Sequence, residues 1–149
     1  MDSLYINREL SLLQFHKRVL AQAKDPDVPL LERLRFLCIS CTNLDEFFEI
    51  RVAGLKQRME IGAPAQGPEK IPASVLFEQL QTEVRELVRD QYELLNQSMF
   101  PELTAAGVHF VQSEEWTKEQ SAWLEDYFNE QVVPVLTPLT FDPSRPFPR

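Results

Sequence analysis

The feature that most constrains this chain is an apolar repeat that runs from Pro72 to Ala106. Apolar side chains recur there mostly every three to five residues, and no proline interrupts the repeat before Pro101. They are Leu76, Leu80, Val84, Leu87, Leu94, Met99 and Leu103. This spacing predicts a helix of about 30 residues, about 45 Å long, with one apolar face. We therefore expect a helical bundle with this helix as its spine.

Two shorter amphipathic helices are predicted before the spine. One runs from Glu9 to Lys24 and ends in the proline-containing residues 25–29, and the other starts just after Pro29. The residues expected to face the core are Leu12, Leu13, Phe15, Val19, Leu20 and Ala23 in the first helix, and Leu30, Leu31, Leu34, Leu37 and Cys38 in the second. Both helices belong to the predicted bundle.

A third short helix is predicted to begin at Thr42 or Asn43 and to run to about Ile61. The Asn43 side chain can accept a hydrogen bond from the amide three residues on, while Glu46 reaches back, which is the pattern of a capping box. The inward side chains are expected to be Phe47, Phe48, Ile50, Val52, Leu55 and Met59. Residues 62–68 are rich in glycine and proline and predict a loop before the spine.

The chain changes character after the spine. Gly107 is suited to end that helix, residues 108–111 are a short strand-like run, and a last helix is predicted from Thr117 to Val132. After Gln131 the sequence is apolar, β-branched and repeatedly broken by proline. This end of the chain is typical of the approach to a sheet whose other strands are missing, since isolated strands are not stable.

Together these elements predict a mainly α fold in two parts. Residues 1–106 are expected to form the helical bundle with its long spine helix. Residues 107–149 are expected to form the incomplete, truncated start of an α/β domain. An apolar fraction of 44% and a charged fraction of 26% are ordinary for a globular protein.

The net charge of −8 argues against nucleic acid as a partner, because a nucleic-acid surface needs a dominant basic field. The apolar runs are broken by charge well before about 18 residues, so no transmembrane segment is expected. The first residues lack the basic start of a secretion signal. We therefore expect a cytoplasmic protein whose two cysteines are free thiols.

Motifs for self-contained catalysis are missing from the sequence. The four glycines do not have the spacing of a phosphate-binding loop. The two histidines, His16 and His109, lie far apart and have no nucleophile at triad spacing, so a structural or surface role is favoured for each.

Two further patterns favour structural roles while leaving a functional alternative open. Cys38 and Cys41 form a C-x-x-C motif, but the motif follows an amphipathic helix and has no second ligand pair, so packing is favoured over metal or redox chemistry. A basic group is expected to be a solvated, paired face, with anion contact or inter-domain pairing as the alternative. Its members are Arg33, Arg35, Arg51, Lys56 and Arg58.

Residues 42–48 form the densest polar and aromatic cluster of the chain. The amide of Asn43 offers both a donor and an acceptor, which is the combination needed to read the edge of an adenine base. Its spacing alone still favours a helix cap over a ligand contact.

Several ordered blocks of sequence carry a resemblance to a known family. They are residues 5–11, Phe15 with residues 18–20, residues 29–37, residues 42–48 and residues 51–55. In this order they closely resemble the N-terminal domain of the bacterial polyphosphate kinases. The resemblance continues through the later helices to residues 135–139, which are similar to the start of that family's second, or head, domain.

The resemblance implies an enzyme that reversibly transfers the terminal phosphate of ATP to a polyphosphate chain through a phosphohistidine, with Mg²⁺. Asn43 matches the asparagine through which the family contacts ATP. The nucleophilic histidine, the Mg²⁺ ligands and the phosphate-binding basic residues belong to later domains, so no catalytic or metal-ligating residue is expected in this chain. Neither His16 nor His109 inherits the catalytic role.

The partners implied by the resemblance are ATP or ADP, polyphosphate, the remaining domains of the enzyme and further copies in a homo-oligomer. Association with a membrane as part of a complex is left open. The alternative is a non-catalytic helical module for interaction or oligomerisation, in which nucleotide contact is negligible. Titration of ATP into the chain and into Asn43→Ala separates the two hypotheses.

Overall fold

The computed structural model describes residues 6–65, 67 and 70–138. The helices are α1 (Arg8–Lys24), α2 (Leu30–Glu46), α3 (Ala53–Glu60), α4 (Ala73–Leu94), α5 (Phe100–Ala105) and α6 (Lys118–Tyr127). Three π-helical segments lie at Phe47–Val52, Leu95–Met99 and Phe128–Val132, and 3₁₀ turns lie at Ser113–Glu115 and Val133–Val135. The chain divides into two compact units, residues 1–109 and 110–149. The predicted mainly α fold is confirmed for the described residues.

Helix α1 matches the predicted helix closely and is capped at its start. The Asn7 side chain accepts hydrogen bonds from the backbone amides of Glu9 at 3.0 Å and Leu10 at 3.3 Å. The buried face consists of Leu13, His16, Leu20 and Ala23. Phe15, predicted to be inward, is 46% exposed, while the neighbouring His16 is only 3% exposed. The prediction for Phe15 was wrong because the apolar pattern alone could not place a polar ring in the core.

Helix α2 does not end before Asn43, so the predicted break and capping box there are wrong. The helix runs without interruption from Leu30–Glu46 into the π-helical segment Phe47–Val52 and then into α3. The carbonyl group of Asn43 accepts a hydrogen bond from the backbone amide of Phe47, as expected for a residue inside a helix. A capping residue needs a non-helical backbone, which a continuous helix does not offer.

The buried face of α2 is rotated relative to the predicted one. It consists of Arg33, Leu37, Ser40 and Leu44. Leu31 is 66% exposed and Cys38 is also exposed, so both inward predictions were wrong. Two polar side chains occupy the core face because each has a buried partner. Ser40, for example, accepts a hydrogen bond of 2.9 Å from the Gln91 amide of α4.

Arg33 joins three parts of the bundle. Its Nε donates to the carbonyl oxygen of Ala23 at the end of α1, at 3.0 Å. Its two terminal nitrogens donate to the Glu102 carboxylate at 2.6 and 3.2 Å, and one of them also reaches the Ser98 hydroxyl at 3.3 Å. Hydrogen bonds from Ser98 and Arg33 lower the pKa of Glu102. A forked guanidinium is suited to such simultaneous contacts.

In the third predicted helix, the inward prediction holds for only some side chains. Phe47, Val52 and Leu55 are buried. Phe48, Ile50 and Met59 are exposed, so their predicted burial was wrong. Six successive residues of this stretch are π-helical, and a π-helix turns by a smaller angle per residue than the α-helical period assumes.

The predicted spine helix is confirmed as α4, a π-helical segment and α5, which follow one another without a gap. The π-helical segment Leu95–Met99 precedes Pro101, which lies in the first turn of α5, where its missing amide hydrogen is tolerated. Gly107 ends the spine with φ +87°, and the amides of Gly107 and Val108 bond back to the carbonyls of Thr104 and Leu103. The buried residues of the spine are Ala73, Leu76, Leu80, Val84, Leu87, Gln91, Met99 and Leu103.

The second unit contains the last predicted helix. Thr117 and Gln120 form a reciprocal capping box, and α6 continues into the π-helical segment Phe128–Val132. Residues 108–111, predicted to be strand-like, have no regular secondary structure. Residues 133–135 form a 3₁₀ turn, and the later part of the predicted sheet approach, residues 139–149, lies outside the described residues. Of the helices that the structure describes, none has the length and apolarity to cross a bilayer.

Replacing Arg33 with Met should destabilise the bundle. The change removes the donors from the Ala23 carbonyl and from the partly exposed Glu102, and we expect it to lower the free energy of unfolding by about 2–3 kcal/mol. Urea denaturation followed by circular dichroism measures the difference. Arg35→Met is the matched control on the same helix, because Arg35 is exposed and its nearest ion-pair contact, to Glu32, is 3.7 Å long. We expect the control to change the free energy of unfolding by less than about 0.5 kcal/mol. Equal effects of the two substitutions would contradict the larger contribution to stability that we expect from Arg33.

Candidate functional site

Asn43 lines a cleft of about 280 Å³ between α1 and the junction of α2 with its π-helical continuation. We call this the Asn43 cleft. Its lining residues are Leu12, Phe15, His16, Asn43, Glu46, Phe47, Ile50 and Arg51. Asn43 is partly exposed, so its amide is accessible. Asn43 therefore lies in a concavity rather than on a convex helix surface.

The walls of the Asn43 cleft combine aromatic and aliphatic side chains with polar ones. The His16 and Phe47 rings meet edge to face, with centroids 5.8 Å apart and planes at 82°. Phe15 and His16 meet at 6.1 Å and 65°. Phe15 and Ile50 are about half exposed at the rim. Such walls favour a flat, partly apolar ligand, and the Asn43 amide adds the polar group that can fix its orientation.

The polar groups of the cleft carry both signs of charge. Glu46 and Arg51 both line it. The Arg51 side chain forms no hydrogen bond or ion pair with another residue in the described part of the chain. The Arg18 guanidinium lies 5.8 Å from the centroid of the Phe15 ring. The candidate site therefore contains positive charge, although the chain as a whole is acidic.

His16 is a buried, neutral member of the cleft wall. Burial lowers the pKa of its imidazole, and the negative charge of Glu46 opposes this shift only in part. Its Nδ1 is buried and has no hydrogen-bond partner among the residues that the structure describes. The expectation of a structural role agrees with this position, and His109 lies apart from the cleft on the surface.

Of the cleft residues, only Asn43 was assigned to a site from the sequence, and the polar Glu46 and Arg51 and the apolar Ile50 are among those that were not. The signal was present, because Glu46 and Ile50 follow Asn43 at intervals of three and seven, and these positions share one face of a continuous helix. Because a helix break was predicted at Asn43, these residues were not recognised as sharing a face. The basic group was not assembled by the fold: Arg33 bonds Glu102, Lys56 lies 5.8 Å from the Phe77 ring, and Arg58 donates to the Pro64 carbonyl.

The cysteine motif has a different environment from the one predicted. Cys38 and Cys41 are free thiols, as expected, but both are exposed, so the packing prediction was wrong. Cys41 lines a second cleft of about 380 Å³ between α2 and α4. Within the described ranges, no group of three or more His, Cys, Asp or Glu side chains is arranged to hold a metal ion.

Comparisons with known proteins agree along the chain. Residues 5–111 match the family model of the polyphosphate kinase N-terminal domain, and residues 119–149 match that of the polyphosphate kinase middle domain. Polyphosphate kinases of Xylella fastidiosa (strain 9a5c) and Neisseria gonorrhoeae are 51% and 50% identical over 146 and 144 residues, which are 98% and 95% of this chain. The crystal structure of polyphosphate kinase from Porphyromonas gingivalis is 28% identical and superposes with a TM-score of 0.67 over 95% of this chain. The chain spans only 21% of each of these two curated relatives and 20% of the crystallised chain.

The buried His16 should make the stability of the chain depend on pH. Since its pKa is lower in the folded state than the unfolded value of about 6.5, the unfolded state binds more protons below that pH. Its contribution to stability is therefore complete above about pH 6.5 and is lost as the pH falls towards the lowered folded value. Urea denaturation at a series of pH values measures the dependence. His16→Gln should flatten the curve in this range and His109→Gln should leave it unchanged, and a wild-type slope retained in His16→Gln would contradict the assignment.

Proposed function

The chain belongs to the polyphosphate kinase family, and we propose that it is the N-terminal part of an enzyme that reversibly transfers the terminal phosphate of ATP to a polyphosphate chain. In this proposal the chain holds the adenine side of ATP and contacts the remaining domains, while phosphoryl transfer takes place on those domains. The single observation that most directly supports adenine binding by this chain is that Asn43 lines a cleft beside aromatic side chains.

Asn43 has the chemistry to recognise an adenine edge. Its carboxamide can donate to one ring position and accept from the exocyclic amino group, which a purely apolar wall cannot do. The half-exposed Phe15 ring supplies apolar surface beside it, whereas the Phe47 ring is almost fully buried. A cleft of about 280 Å³ lies just below the range of about 300–1,000 Å³ typical of complete ligand pockets. It is large enough for a base, and the triphosphate would extend towards other domains.

The described residues do not fit a role in the transfer step itself. Phosphoryl transfer depends on positioning and on positive charge around the moving group. The structure's described part contains no three-ligand acidic or histidine cluster suited to Mg²⁺, and His16 is buried within the bundle. We therefore assign the Mg²⁺ ligands and the phosphohistidine, which the family implies, to parts of the enzyme outside this chain.

The second unit supports a role in inter-domain contact. None of its described residues is buried. Trp123 and Tyr127 stack with ring centroids 5.3 Å apart, yet Trp123 is 62% exposed. Exposed aromatic clusters of this kind usually meet a partner surface. We propose that the rest of the middle domain covers this pair, and that the domain boundary lies near residues 106 and 107.

Two properties expected from the sequence stay predictions within this proposal. They are a cytoplasmic location and assembly into a homo-oligomer. The non-catalytic interaction module remains the alternative for the isolated chain, and the exposed aromatic pair of α6 is the observation that favours it.

In the complete polyphosphate kinase that carries this segment, Asn43→Ala should weaken ATP use. Loss of the paired contact should raise the KM for ATP about 10-fold, which corresponds to about 1.4 kcal/mol, with a smaller change in kcat. Steady-state kinetics at saturating polyphosphate measure both constants. Asn96→Ala is the matched control, because Asn96 is an exposed asparagine in the π-helical segment of the spine. An unchanged KM in Asn43→Ala would remove Asn43 from the ATP site.

Calorimetric titration of ATP into the 149-residue chain tests whether the cleft suffices alone. Because the cleft can enclose only part of a nucleotide, we expect a Kd of about 1 mM or weaker. Binding in the micromolar range that persists in Asn43→Ala would place the nucleotide elsewhere on this chain.

A further inference from the structure

Cys38 and Cys41 lie three residues apart in the middle of α2, and both are exposed free thiols. We propose that they form a two-thiolate site for a soft, two-coordinate metal ion, specifically Cu(I). The site is on a different face of α2 from Asn43 and does not depend on the proposed function.

The helix sets a spacing that suits a bridging ion better than a disulfide. Side chains three residues apart on a helix have Cβ atoms about 5–6 Å apart. A disulfide needs about 3.5–4.5 Å between its Cβ atoms, so direct oxidation would have to distort α2. One metal ion between the sulfur atoms removes this conflict.

Ser40, one of the two residues between the cysteines, holds this part of the helix in place. Ser40 is fully buried, and its hydroxyl accepts a 2.9 Å hydrogen bond from the Gln91 amide of α4. The backbone that carries both thiols is therefore fixed against the spine while the thiols face outward. Such support reduces the ordering required when a ligand binds.

The number and type of ligands select the metal. Zinc in structural sites takes four ligands, and the described residues offer no cluster of three or more His, Cys, Asp or Glu side chains. Asp45 follows Cys41 by one turn, but a carboxylate is a hard ligand that soft ions do not prefer. Two thiolates without further ligands suit Cu(I), which soft sulfur ligands select.

Binding needs no oxidant or reductant. Each thiol loses its proton to solvent, two sulfur–copper bonds form, and copper enters and remains as Cu(I). Because two protons leave, acidification should weaken binding, by up to about 100-fold for each pH unit.

The test is an anaerobic titration of the reduced 149-residue chain with Cu(I), in competition with the chromogenic chelator bicinchoninate. We expect one Cu(I) per chain in a monomer, with the pH dependence given above. Cys38→Ser and Cys41→Ser should each lower the affinity at least about 100-fold, since each loses the second, intramolecular ligand. Asp45→Asn should change it less than about threefold, because that side chain is not a ligand in this site.

Circular dichroism of each variant checks that the fold is retained, which the exposure of both thiols leads us to expect. Three results would overturn the site: wild-type affinity in the Cys38→Ser/Cys41→Ser double variant, undiminished affinity in either single variant, or a copper-linked dimer in sedimentation velocity.

Discussion

The arrangement of the bundle depends on the hydrogen bonds and the ion pair of the buried Arg33 guanidinium. It links the end of α1, through the Ala23 carbonyl, to Glu102 near the end of the spine. Burying a charge is costly unless it is paired and hydrogen-bonded, so these contacts fix the rotation of α2 about its axis. That rotation places Leu37 and Leu44 in the core and turns the cysteines outward. It also leaves Asn43 beside α1, where the candidate cleft forms.

The same interaction explains how much of the fold the sequence could predict. Helix positions followed from the apolar repeat, and the capping residues Asn7 and Thr117 confirm two starts. The rotation of α2 could not be predicted, because its core face contains Arg33 and Ser40, whose burial depends on distant partners in the spine. At Asn43 a local capping pattern was present, but residues 38–46 contain no glycine or proline to interrupt α2.

For the candidate site, too, the sequence could predict some residues and not others. Asn43 was identified by its type and by the resemblance of residues 42–48 to a family motif, whereas its neighbours depended on the three-dimensional arrangement. Phe47, Ile50 and Arg51 lie in a π-helical segment, where the wider turn changes the direction of successive side chains. π-helical turns inside longer helices are frequent at functional sites. The ordinary helical period places Phe47, Ile50 and Arg51 on the face of Asn43, but only in a helix that continues through Asn43, and the sequence predicted a break there.

The proposal that this chain binds the adenine base while other domains carry out phosphoryl transfer has a physical rationale. The adenine base is remote from the phosphate that moves, so contacts to the base cannot stabilise developing charge directly. They can orient the nucleotide and reduce the entropy lost in reaching the transition state. A small cleft that combines apolar side chains with the Asn43 amide is sufficient for that task, and a net charge of −8 would be unfavourable beside the phosphates but not beside a neutral base. The acidic balance of this chain therefore favours contact with the base, and any phosphate contact would have to be made at the local positive charge of Arg51.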